Sequence, residues 1–159
     1  KPMKNIITNE EVIELAFCDG EYVSPEVVGD ADIAAAAIHY IIPVVGAELY
    51  EEMLEGSHPT LRNDFVAPAL AMAVRTMIQP ALNVCTGQAG LRISSSLRAD
   101  SSTKSAMEML QKSLRLRRQI LLKRLSNYLK AHASQFPTYD AESDILQHCT
   151  IDGGYIQIF

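Results

Sequence analysis

Apolar positions recur at helical spacing through most of this chain. Thr8 and Glu11 stand at capping-box spacing, with Ile7 and Val12 as the matching hydrophobic staple, which predicts a short helix over Asn9 to Phe17. Asp19-Gly20 stops it, and Ser24-Pro25 predicts a brief turn, because proline suits the first helical position. A second helix is expected from Asp30 or Asp32, where a carboxylate caps free amides and favours the positive helix end. It runs through four consecutive alanines to about Ile42, where Pro43 ends or kinks it. Beyond Gly46, the i, i+4 pairs Leu49/Met53 and Tyr50/Leu54 predict a helix from Glu48 to Glu55, terminated by Gly56.

His58-Pro59 reads as a linker to a helix from about Thr60 to Val84. Leu61, Phe65, Val66, Leu70, Met72, Val74, Met77, Ile78 and Leu82 cover most of its circumference, leaving Arg75, Gln79 and Asn83 as a narrow polar stripe. Such a helix is central to its bundle or buried between subunits. Pro68 and Pro80 predict kinks or ends within it. Thr86-Gly87 and Ala89-Gly90 are turn signals, and Leu91 to Ser94 alternates as a strand does, so residues 84–102 predict a hairpin or flexible arm. The longest helix follows, opened by Ser102 or by a Ser105–Glu108 capping box and extending to about Ala133. Met107, Leu110, Leu114, Leu121, Leu125, Tyr128 and His132 make its apolar face, and Pro137 closes it. In the extension 140–159, Gly153-Gly154 predicts a tight turn before a short terminal strand holding Tyr155, Ile156 and Ile158. A terminal apolar strand needs a sheet edge to pair with.

These elements predict one domain over 1–159: mainly α, a helical bundle with one long helix in its C-terminal half and a minor β-hairpin or terminal strand. The length is enough to bury a core without metal or disulfide staples. Aromatics make up only 6% and tryptophan is absent, so Ala, Val, Ile, Leu and Met must fill that core. A net charge of −5 argues against a surface built throughout to coat nucleic acid. Cys18, Cys85 and Cys149 are odd in number, far apart and without a CxxC pair, which predicts reduced thiols in a cytoplasmic setting. No signal peptide is evident, and the apolar stretch Ala67 to Val84 is expected to fall short of a membrane span.

The chemistry-bearing residues are few. Lys112, Arg115, Arg117, Arg118, Lys123 and Arg124 form a basic run on the long helix, which contacts phosphates or an acidic partner, or else is a solvated face whose stems lie on apolar neighbours. Arg117 stands two turns from Leu110 beside the core stripe, a place where a guanidinium wants a bidentate carboxylate. His39 is most simply a packed or partly exposed side chain, and His148-Cys149 lacks a second pair at ligand spacing, so no metal is expected. The chain holds no GxSxG, P-loop, GxGxxG or HExxH, and its acidic pairs read as charged helix faces. No enzyme activity and no cofactor are expected.

The order of several punctuation motifs carries a resemblance. Ile6-Ile7-Thr8 with Glu11 is followed by Ile42-Pro43-Val44-Val45-Gly46 with Leu49-Tyr50, then Val66-Ala67-Pro68-Ala69-Leu70-Ala71. A long Arg-rich helix ends in Leu125, Tyr128 and Leu129, and Phe136-Pro137, Tyr139 and Gly153-Gly154-Tyr155-Ile156 close the series. In that order the chain resembles the small head–tail connector (neck, or adaptor) proteins of tailed bacteriophages and prophages, especially the form in phages of Bacteroides-type gut bacteria. The resemblance implies a helical subunit of a homo-oligomeric ring below the portal, joining head to tail around the passing DNA. Its implied partners are itself, portal and tail proteins, with DNA nearby and neither membrane nor small-molecule substrate. Its implied setting is the bacterial cytoplasm during assembly and then the virion.

The residues expected at contacts are Arg115, Arg117, Arg118 and Arg124 on the long helix, Leu91 and Ile93 in the arm, and Tyr155, Ile156 and Ile158 in the tail. Apolar surface and an edge strand are liabilities in a monomer and useful in a ring. Two other readings fit the residues: a cytosolic helical regulator that dimerises through its long helix, and an enzyme with a site assembled between subunits.

Overall fold

The first helix, α1 (Asn9–Ala16), starts at the capping box: Thr8 Oγ1 accepts from the Glu11 N–H at 3.3 Å, and Glu11 Oε2 accepts from the Thr8 N–H at 2.8 Å. Two otherwise orphaned amides are thereby satisfied. The structure, a computed structural model, describes residues 4–17, 23–82, 84–87, 90–93 and 101–147, with backbone alone for 84–87, 90–93 and 101–103. A 3-10 turn, Pro25–Val27, leads to α2 (Asp30–Val45), whose Asp32 carboxylate accepts from the Gly29 N–H at 3.1 Å. At Gly46, with φ +87°, the chain bends by 118° into α3 (Ala47–Leu54). Gly56, with φ +97°, follows α3. Both glycines take the left-handed conformation that lets a helix end abruptly.

Pro43 does not end α2. The helix widens into a π-turn over Ala37–Ile41, closed by Ile42 N–H donating to Ala37 O, and continues through Ile42–Val45. The same arrangement recurs in α4 (Pro59–Leu82): a π-turn over Arg62–Val66 closes with Ala67 N–H on Arg62 O, immediately before Pro68. Proline lacks a donor and its ring crowds the turn behind it. One extra residue in that turn takes up both defects, so a proline that reads as a break in sequence becomes a bulge in a continuous helix.

Helix α4 is the axis on which α1, α2 and α5 (Ser101–Ala131) pack. Val66, Ala69, Leu70, Ala71, Ala73 and Val74 are fully buried, and small residues let neighbouring helices approach. By length and composition α4 is apolar enough to cross a membrane, contrary to the expectation for its sequence, and 67% of that apolar window lies inside the protein. Of the polar stripe, Arg75 and Gln79 are buried and Asn83 lies outside the described residues. Arg75 Nη1 donates to Ala16 O, the C-terminal end of α1, and its guanidinium lies 4.4 Å from the Phe17 ring centroid. A cation is favoured there, where carbonyls are left without helical donors.

After α4, β1 (Val84–Gly87) and β2 (Gly90–Ile93) form the expected antiparallel hairpin, with Thr86 opposite Leu91 and Val84 opposite Ile93. The expected terminal strand, with Tyr155, Ile156 and Ile158, and the His148-Cys149 pair lie outside the described residues. The fold is thus a mainly α bundle with one long helix in the C-terminal half, as the pattern predicts.

Candidate interaction surface on the long helix

The two sides of α5 differ in chemistry. Its inner side holds Leu114, Arg118, Leu122, Leu125 and Leu129, all buried, at the three- and four-residue spacing of one helical face. Ser126, fully buried beside them, donates to Asp144 Oδ2 at 2.6 Å. Asp144 is also fully buried and accepts from Tyr139 Oη at 2.8 Å and from the Leu146 N–H at 2.9 Å. Gln147 adds a bond to Ser126 Oγ and accepts from Lys130 Nζ. This polar knot fastens residues 139–147 to the last turns of α5. Burial pushes the Tyr139 hydroxyl well above the usual phenol range, and its bond to Asp144 adds to the rise.

The guanidinium that meets the core belongs to Arg118. The expectation placed Arg117 beside the core with a bidentate carboxylate, yet Arg117 is exposed and forms no ion pair among the described residues. The error is one residue of helical phase: a step of 100° moves a side chain from flank to interior. Arg118 Nη1 donates to Tyr40 Oη at 2.9 Å, with the guanidinium 4.2 Å from the Tyr40 ring centroid, while Nε is buried without a hydrogen-bond partner. Desolvation lowers its pKa from the usual arginine range, and Arg115 adds to the shift, with Tyr40 opposing. A cation over a ring face with one hydroxyl acceptor ties α5 to the π-turn of α2.

Opposite the core, α5 presents Met109, Leu116 and Ile120, exposed by 69%, 56% and 58%. Separations of seven and four residues put them within about 40° of arc, diametrically across from Leu125 and Arg118. Exposed Lys112 and Lys123 flank this stripe on one side, and exposed Arg117 and Arg124 on the other. Arg124 lies 4.6 Å from the centroid of Phe65, which stacks on Tyr128 at 4.0 Å. Arg115 is exposed nearer the buried edge. No carboxylate among the described residues forms an ion pair with Lys112, Arg115, Arg117 or Lys123; ion pairs among the described residues include Arg62–Glu11 at 2.7 Å and His58–Glu52 at 3.0 Å.

The acidic residues lie elsewhere. Residues 1–64 hold thirteen acidic and three basic side chains, and residues 65–136 two acidic and eleven basic. On α3, Glu48, Glu51, Glu52 and Glu55 line a shallow open groove of about 440 Å³ with Ala47 and Thr138, where Glu52 accepts from Thr138 Oγ1 at 3.3 Å. On α1, Glu10, Glu14 and Leu15 are exposed. Glu11 is held below the usual carboxylate range, chiefly by its hydrogen bond from Arg62.

Of the expected contact residues, Arg115, Arg117 and Arg124 therefore lie exposed on one helix and Arg118 is buried. Leu91 and Ile93 sit on β2, whose side chains are not described. Reading the basic run missed the apolar stripe it borders. The i, i+7, i+11 spacing of Met109, Leu116 and Ile120 is legible in sequence, but a second apolar face competes with it along the same helix. Tyr40 and Asp144 left no such trace, since each acquires its partner only through contacts 78 and 18 residues away. Among the described residues, no group of three His, Cys, Asp or Glu side chains is placed to hold a metal ion.

No curated protein and no solved structure matches the chain. A family model does match it, over residues 25–145, which takes in the π-turned helices, the hairpin, the long helix and the Asp144 knot. The chain belongs to a family of unknown function, DUF6712.

Proposed function

We propose that this chain is a structural subunit that joins phage head to tail, assembling with copies of itself as a ring beneath the portal and performing no chemistry. One observation carries the reading: the outward side of α5 combines large exposed apolar side chains with cations that lack internal counter-charges among the described residues. A monomer gains nothing from such a surface, and burying it drives association. The order of helix punctuation that resembles connector proteins supplies the identity of the assembly. The arginines, at the edge of the apolar stripe, set register against an acidic partner, and a ring around DNA keeps that basic helix near phosphates.

Self-pairing of α5, as a dimeric regulator requires, is disfavoured by the same residues. It brings Lys112, Arg117, Lys123 and Arg124 of two copies together, and like charges in contact oppose binding.

The test is genetic and structural. Disrupting the gene in the phage or prophage that encodes the chain should leave DNA-filled heads and separate tails under the electron microscope. Complementation with the intact chain should restore tailed particles carrying it at the neck. Infectious tailed particles formed without the chain would overturn the reading.

A further inference from the structure

We propose a specific contact between copies: the outer side of α5 in one copy seats, head to tail, on the acidic face formed by α1 and the Pro25–Val27 turn of the next. This rests on the ring reading and names the surfaces that build it.

The receiving face is complementary in both respects. Leu15 and Val27 are exposed by 43% and 47%, on two elements that pack against each other. Exposed Glu14, adjacent to Leu15 in sequence, and Glu26, adjacent to Val27, accompany them. Two apolar side chains with carboxylates thus answer an apolar stripe bordered by Lys112, Arg117 and Lys123. The groove on α3 carries more carboxylates, yet its exposed residues include Ala47 and no large apolar side chain. Exposed ion pairs alone contribute little, so the face that also buries apolar area is the better seat.

Geometry allows each copy to use both surfaces together. Helices α1 and α5 each pack on α4 from different directions: Arg75 reaches Ala16 of α1, whereas Thr76 O accepts from Gln111 of α5. A contact between two different patches is heterologous, and its repetition closes a ring or extends a filament. The division of charge along the sequence has the same consequence, because an acidic N-terminal portion and a basic helix attract between copies and repel within a like-faced pair.

Cysteine pairing tests the contact on the full chain, with Cys18, Cys85 and Cys149 replaced by serine and folding checked by circular dichroism. Leu116→Cys and Val27→Cys proteins are mixed at high concentration and low salt, then oxidised. The expected product is a disulfide-linked dimer that needs both proteins, with Leu116→Cys alone giving about tenfold less, as like-charge repulsion predicts. Adding Lys112→Glu and Lys123→Glu to the first protein should reduce the mixed product about tenfold, and Glu14→Lys with Glu26→Lys in the second should restore it. Absence of the mixed product overturns the contact. If native mass spectrometry then still finds larger rings, the contact fails and the ring reading stands. If Leu116→Cys links to itself as readily as to Val27→Cys, both fail and the dimeric regulator is favoured.

Discussion

The inner and outer sides of α5 are built from much the same residue types and meet different surroundings. Both carry leucine, and both carry arginine. Inside, Leu125 and Leu129 are fully buried, and Arg118 lies over a tyrosine ring. Outside, Leu116 and Ile120 stand more than half exposed between cations without internal counter-charges among the described residues. Composition therefore does not separate the folding surface from the proposed assembly surface; helical phase does. Substitutions on the inner side should change stability, and those on the outer side should change association alone.

The largest expected effect is Leu125→Ala. Leu125 is fully exposed to packing on all sides and not at all to solvent, so truncation leaves a cavity and should cost about 2–5 kcal/mol. For a domain of this length the melting temperature should fall by about 2–4 °C per kcal/mol, as read by circular dichroism. A shift within error would mean that the inner side is not the folding core.

Asp144→Ala comes next. It removes one acceptor and leaves the Ser126 hydroxyl, the Tyr139 hydroxyl and the Leu146 amide without their partner, at a cost of about 1–3 kcal/mol. Asp144→Asn keeps an acceptor oxygen and should recover part of that loss. Equal losses for the two variants would show that packing around residue 144, and not acceptance of these bonds, holds residues 139–147 to α5.

How much of this was legible follows the same division. The capping box at Thr8–Glu11, the turn at Pro25, the left-handed glycines 46 and 56 and the hairpin at 84–93 depend on neighbours close in sequence, and local chemistry predicts them. Pro43 and Pro68 do not end their helices, because a π-turn held in place by the surrounding bundle absorbs each one. In sequence Arg75 reads only as part of a narrow polar stripe, since its acceptor is Ala16, 59 residues earlier. The choice between Arg117 and Arg118 depended on helical phase to within one residue, finer than an uncertain helix start allows. The apolar stripe of Met109, Leu116 and Ile120 needed the opposite face to be assigned first.

A smaller, pH-dependent effect sharpens the inner side further. The Tyr139 hydroxyl titrates above its unfolded value of about 10, because burial and its bond to Asp144 disfavour the phenolate. A group whose folded pKa is raised contributes stability that is fully present below the unfolded pKa and is lost as pH rises through the folded one. The wild type should therefore lose stability as pH rises past about 10, through this residue in particular. Tyr139→Phe should be less stable at neutral pH and show a shallower alkaline decline, measured by urea denaturation across that range. An unchanged slope would remove Tyr139 from the knot.

The smallest expected change in stability belongs to the outer side. Leu116→Ser with Ile120→Ser removes two large apolar groups from a helix without opening a cavity, since more than half of each already faces water. The urea midpoint should move by no more than about 0.5 kcal/mol in equivalent free energy per site, the usual range for surface positions. On the proposed contact, association should fall sharply, because the apolar area assigned to it is gone while Lys112, Arg117 and Lys123 remain. Sedimentation at high concentration reads that loss, with the monomer's own melting curve as control. A large drop in stability without a change in association would invert the comparison: Leu116 and Ile120 would then serve the fold, and the stripe would be core that the helix happens to leave half covered.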